Sequence, residues 1–283
     1  MKVDVTKDND CSYAAETVTK WINHKPENVS SRILHAVINN AGIGIVGLID
    51  WTDMSIYQKS MDGKCTKVLK IENIPANHSI NKIILFTFVF IQVNYFGSIR
   101  TIKSFLPILK QQTISQKYED HRIINVISMA GLLYNSGLSS YYGSKHAQEA
   151  FSSCLRIELQ AFYIKVITIN PSYHETPMPN AMETQIHSSW DQLQTSIKEE
   201  YGLHFFHSFK QKMLHVKSHM WNSSVVVDSI VTCVISTNPP YQLIVGSDAK
   251  FQGMFARLLP KPILENILAL VLPLEQPASM KSY

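Results

Sequence analysis

Short apolar runs that stop at small or turn-forming residues alternate along the chain with longer stretches whose apolar positions recur every three or four residues. The first pattern belongs to strands buried on both faces and the second to amphipathic helices, so their alternation predicts parallel βα units. Strands are predicted over residues 1–5, 34–38, 122–127, 165–170 and 242–245, and helices over 11–24, 93–111 and 139–162. From 178 to 220 the chain is polar, rich in His, Gln, Ser and Lys, and helical in period without a strand. That stretch reads as an excursion before the last βα unit, either a substrate-covering segment or a surface helix pair. The tail, 251–283, is apolar through 274 with prolines at 260, 262 and 273, and suits either a cap on the core or a segment lying on a membrane surface. No repeat or low-complexity tract divides the chain, so one domain is expected over 1–283.

Composition narrows the classes. A chain of 283 residues with 45% hydrophobic and 17% charged residues can bury a substantial core. The net charge of +4 is dispersed, with no Lys/Arg tract to call for a nucleic acid. Cys11, Cys65, Cys154 and Cys233 lie far apart without metal-ligand spacing, which points to reduced thiols and to no metal site. The most apolar run, 83–91, is too short to span a bilayer, which needs about 20 residues. The residues after Met1 lack the apolar core of a signal peptide.

Candidate chemistry gathers where strands are predicted to end. Tyr141 and Lys145 are four apart at the start of a predicted helix, so both project from one face. An ammonium beside a phenol favours phenolate and would lower the phenol's pKa, making Tyr141 a usable acid or base. Alone the pair is a common helical spacing. Ser128, thirteen residues upstream, closes the strand-like run RIINVIS, which sets its hydroxyl at the carboxyl edge of a parallel sheet, where such sheets bind ligands. Asn39, Asn40, Ala41 and Gly42 end another strand at that edge, although NNAG by itself also suits a plain turn. Asn94 begins the helix predicted from 93, as a site residue or an N-terminal cap.

The segments DVT (4–6), NNAG (39–42), VNYFG (93–97), ISMAG (127–131), YYGSK (141–145) and INPSYHETPM (169–178) occur in one order. Together they resemble the classical short-chain dehydrogenases/reductases, in the subgroup of retinol, hydroxysteroid and 3-hydroxybutyrate dehydrogenases. The resemblance implies a Rossmann-like α/β fold, a doubly wound parallel sheet, and NAD or NADP as cofactor. It implies Tyr141 as catalytic acid/base, Lys145 as the group that tunes it and holds the nicotinamide ribose, and Ser128 as the residue that orients and polarises the substrate oxygen. By the same resemblance Asn94 holds a water in a proton relay. Asp4 and Val5 lie beside the adenine, Asn40, Ala41 and Gly42 beside the adenosine ribose, and Thr176 near the carboxamide. The implied reaction interconverts an alcohol and a carbonyl on a small lipophilic substrate, retinoid or steroid-like, by hydride transfer. A homo-oligomer and an intracellular site, at the endoplasmic reticulum membrane or in the cytoplasm, are further expectations, while peripheral membrane contact through the tail rests on its apolar composition alone.

Three departures qualify this picture. No segment matches the family's opening strand and glycine-rich turn, so the sheet is expected to lack its first two strands and their pyrophosphate site, and the chain to bind dinucleotide weakly. Removing 63–92 restores an uninterrupted family pattern, which makes that segment an insertion or a retained intron. Ser172 stands where the family usually has glycine. A catalytically inactive isoform that at most binds a partner is therefore the alternative to an active dehydrogenase.

Overall fold

The computed structural model describes residues 3–24, 32–40, 46, 48–51, 94–116, 120–175, 177–215, 220–271 and 273–282. The segment 63–92 lies outside them. In chain order the elements are α1 (Asp8–Asn23), β1 (Ala36–Asn39), α2 (Phe96–Gln116), β2 (His121–Val126), α3 (Ser139–Glu158), β3 (Ile164–Pro171), α4 (Pro177–Asp191), α5 (Thr195–His215), α6 (Ser224–Ile235), β4 (Gln242–Val245), α7 (Ser247–Leu258) and α8 (Lys261–Val271). The described strands form one parallel sheet in the order β1-β2-β3-β4, in register Val37 to Ile123 to Val166 and Asn170 to Ile244.

Strand periodicity sorts the side chains onto two faces. Val37, Ile123, Ile164 and Val166 pack with Cys11, Ala14 and Val18 of α1, Ile102, Phe105 and Leu109 of α2, and Leu155 of α3. Ala36, Ile38, Ile124, Ile167 and Ile169 face Ile230, Cys233 and Val234 of α6. Helices on both faces make the sheet doubly wound, as expected. The near-continuous apolar strands follow from that double burial.

One predicted strand is overturned. Val3 and Asp4 are irregular and Val5 and Thr6 form a turn, so no strand covers the described part of 1–5. The cause is local: the Asp4 carboxylate accepts from the Thr6 amide (3.0 Å) and hydroxyl (2.7 Å), closing a turn that feeds α1. Val3 and Val5 still enter the core. The excursion predicted over 178–220 is the helix pair α4 and α5, and its ends are joined by a bridge between His174 and Trp221.

At the amino edge of the sheet, His35 and His121 are buried, their rings bonded to the carbonyls of Val234 and Leu34, both at 2.8 Å. Burial lowers both imidazole pKa values from 6.5. Between the lowered folded values and about 6.5 the unfolded chain binds more protons than the native one, so stability falls as pH drops through that window. We expect the urea midpoint to decrease from pH 7 to pH 5, and the double variant His35→Gln, His121→Gln to flatten that slope. An unchanged slope would refute the assignment.

Candidate active site

The carboxyl ends of β2 and β3 set the site. After Val126 the chain leaves the sheet, and Ser128 starts a single 3-10 turn, Met129–Gly131, its hydroxyl accepting from the Ala130 amide at 3.1 Å. The Ser128 carbonyl accepts from Asn170 Nδ2 at 3.0 Å, which locks it to the end of β3. Tyr141, half-buried in the first turn of α3, is hydrogen-bonded to the Ser128 side chain. The Ser128 hydroxyl thus stands close enough to the Tyr141 phenol to act on its pKa.

Lys145, one turn on, is only 2% exposed. Its ammonium donates to Gln148 Oε1 at 3.1 Å and, more loosely, to the Val126 carbonyl at 3.5 Å, and lies 5.9 Å from the Tyr141 ring centre. Asn94, 1% exposed just ahead of α2, donates from Nδ2 to the Ser144 hydroxyl at 3.1 Å, and that hydroxyl donates to the Tyr141 carbonyl at 2.6 Å. Asn94 thus braces the turn that carries the tyrosine. Ser128, Tyr141, Lys145 and Asn94 come together from three separate elements.

The electrostatics correct one expectation. Burial pushes the Tyr141 phenol up to about 12, with Tyr173 adding to the rise, although the Ser128 hydroxyl pulls it down. Lys145 does not lower it as the spacing predicted. Burial pushes the ammonium itself down to about 7 against the pull of the Glu149 carboxylate, and two of its three donors go to Gln148 and Val126. Desolvation of both groups outweighs their mutual effect.

A family model described as short chain dehydrogenase matches residues 1–187. The chain belongs to that family. It is 26% identical over 275 residues to short-chain dehydrogenase/reductase family 9C member 7 of Mus musculus, covering 96% of this chain and 74% of that one. It is 28% identical over 272 residues to 17-beta-hydroxysteroid dehydrogenase type 6 of Homo sapiens, covering 94% and 71%. A short chain dehydrogenase from Burkholderia cenocepacia, solved in complex with NADP, superposes with a TM-score of 0.58 at 16% identity over 94% of this chain and 76% of the other, a likeness of fold.

The remaining family positions are placed unevenly. Asn40 follows β1 at the carboxyl edge and is half-buried, whereas Ala41, Gly42 and Thr176 lie outside the described residues. Val5 is wholly buried and Asp4 is engaged in its turn, where its amide also donates to Asp10 at 2.9 Å. Ser172, which replaces the family's usual glycine, bonds the Asp248 carboxylate through its hydroxyl, and that carboxylate also accepts from the Trp221 indole at 2.9 Å.

Sequence reading missed the polar layer beneath the site. Asn39 donates to Asn125 and Asn125 to Ser152, both at 2.8 Å, while Glu149 takes Asn170 at 2.9 Å. The signal was there, in polar residues interrupting otherwise apolar strands. The wall beside Tyr141 is apolar: Trp51 meets Trp190, Tyr201, Phe205 and Phe209 edge-on at 5.1 to 5.8 Å, within a cluster that includes Leu138 and Tyr142.

Gly137 makes the turn into α3 at φ +83°, and a Cβ there would stand 2.9 Å from Phe209 Cζ. Gly137→Ala should lower stability by about 1–3 kcal/mol, read as a fall in thermal midpoint. A midpoint equal to the parent's would show that the turn relaxes freely.

Proposed function

We propose that the chain is an NAD- or NADP-dependent oxidoreductase interconverting an alcohol and a carbonyl on a small lipophilic substrate of retinoid or steroid type. The observation that carries this reading is the hydrogen bond between Ser128 and Tyr141 at the carboxyl edge, with Lys145 one turn behind. A hydroxyl, a phenol and an ammonium at that edge fit the nicotinamide half of a dinucleotide, with Lys145 as the residue that would hold its ribose and Asn40 as a contact for the adenosine half. When bound, the cofactor supplies or accepts hydride. Tyr141 moves the proton and Ser128 holds the substrate oxygen.

The apolar wall built by α4 and α5 supports a lipophilic substrate and a covering role for this pair. The human relative named for hydroxysteroids favours the same class. Phe251, Met254, Ile263, Ile267 and Leu270 are exposed on α7 and α8, which favours contact of the tail with a membrane surface.

Because Tyr141 is held protonated, it stands ready as an acid for carbonyl reduction, whereas alcohol oxidation needs the phenolate and should quicken as pH rises toward about 12. The test is a calorimetric titration of the chain with NADH and NADPH, followed by coenzyme-coupled turnover of a ketosteroid and of retinal. Tyr141→Phe should cut turnover at least about 100-fold and leave coenzyme affinity largely intact. No coenzyme binding and no turnover in the parent would leave the inactive alternative standing. A loss of only a few-fold in the variant would assign the proton to another group.

A further inference from the structure

Lys145 and Asn94 stand at the two ends of an unbroken run of hydrogen bonds that passes through residues given no role above. Lys145 Nζ donates to Gln148 Oε1 at 3.1 Å, Gln148 Nε2 donates to Ser98 Oγ at 3.0 Å, and the Ser98 hydroxyl donates to the Asn94 carbonyl at 2.9 Å. All four residues are 3% exposed or less. Helix geometry makes the run possible: Gln148 follows Lys145 by three residues on α3, Ser98 follows Asn94 by four at the start of α2, and the amide bridges the two helices.

We propose that Gln148 is a positioning residue of the site, its amide oxygen holding the Lys145 ammonium and its amide nitrogen passing that constraint through Ser98 to the main chain at Asn94. The proposal rests on the reading of Tyr141 and Lys145 as the reacting pair. Only one orientation of the amide serves, because the reverse would turn an NH2 group toward an ammonium. A primary amide neither releases nor takes up a proton near neutrality, so the run orients Lys145 and conducts no proton. It is also neutral: among the described residues no ion pair reaches Lys145, and the carboxylate that acts on it, Glu149, is occupied by Asn170, Thr168 and Gln242. Lys145 is thereby fixed without an ion pair to any described residue, and its remaining N–H is left for whatever meets Tyr141.

The closing experiment reads Lys145 directly, by a pH titration of its 13C-labelled ε-methylene signal in the full chain, assigned through Lys145→Met. Gln148→Glu, close to isosteric, should raise the midpoint by about one to two pH units, and Gln148→Leu should lower it by about one. Ser98→Ala, which frees the far side of the amide, should lower it by less than the Leu variant does. Midpoints of the Glu and Ala variants that coincide with the parent's overturn the proposal, even if the Leu variant does not fold. The titration needs no turnover, so failure of the oxidoreductase reading and failure of this one are told apart.

Discussion

An ammonium buried against the end of a strand must be given acceptors, and meeting that demand at Lys145 dictates the chemistry of the whole face beneath α3. Its acceptors among the described residues are a strand carbonyl and the Gln148 amide, whose nitrogen is committed in turn to Ser98. Asn39, Asn125, Ser152 and Asn170 continue the same layer outward, joining the carboxyl ends of β1, β2 and β3 to one helix. Among the described residues Asn39 Oδ1 and Asn170 Oδ1 stay buried without a partner, so the layer rests on the bonds its other atoms make. Neighbouring members are therefore tied to one another, and the position of Tyr141 inherits their rigidity.

The opposite face of the sheet is built on another logic. Ile38, Ile124, Ile167 and Ile169 meet α6 by apolar contact. Polar contacts with α6 come from His35 and from Arg122, 1% exposed, whose guanidinium donates to the Cys233 and Val234 carbonyls at the end of α6, at 2.7 and 2.9 Å, and is bidentate to Asp120. A cation at a helix carboxyl end satisfies carbonyls that the helix itself cannot. Although burial pushes the Asp120 carboxyl up, its hydrogen bonds to Arg122 and Lys165 hold it below the usual value.

Much of this was legible in the sequence for identifiable reasons. β2, β3 and β4 are apolar runs with clear stops, and α2 and α3 keep a helical period, so their positions were fixed to within a few residues. The strand predicted over 1–5 failed because two valines at alternate positions resemble a strand, while the side chain between them closes a turn. α6, SVVVDSIVTCVI, escaped notice because its β-branched residues favour strands, and only packing against the sheet makes it helical. Ser128, Tyr141 and Lys145 are visible as a spaced motif. Gln148 and Ser98 are not, since each is a single polar residue whose partner lies on another helix, and only tertiary structure joins them.

The excursion made by α4 and α5 leaves the sheet and returns to it at one place. The Glu175 amide donates to the Trp221 carbonyl and the Trp221 amide to the Tyr173 carbonyl, both at 2.9 Å, so its entrance and exit are stapled together. Asp248 fastens that staple to the head of α7. The length of the segment between Glu175 and Trp221 is therefore uncoupled from the mutual register of its two ends. The apolar wall beside Tyr141 is thereby hung on a clasp separate from the strand ends that fix Ser128 and Asn170.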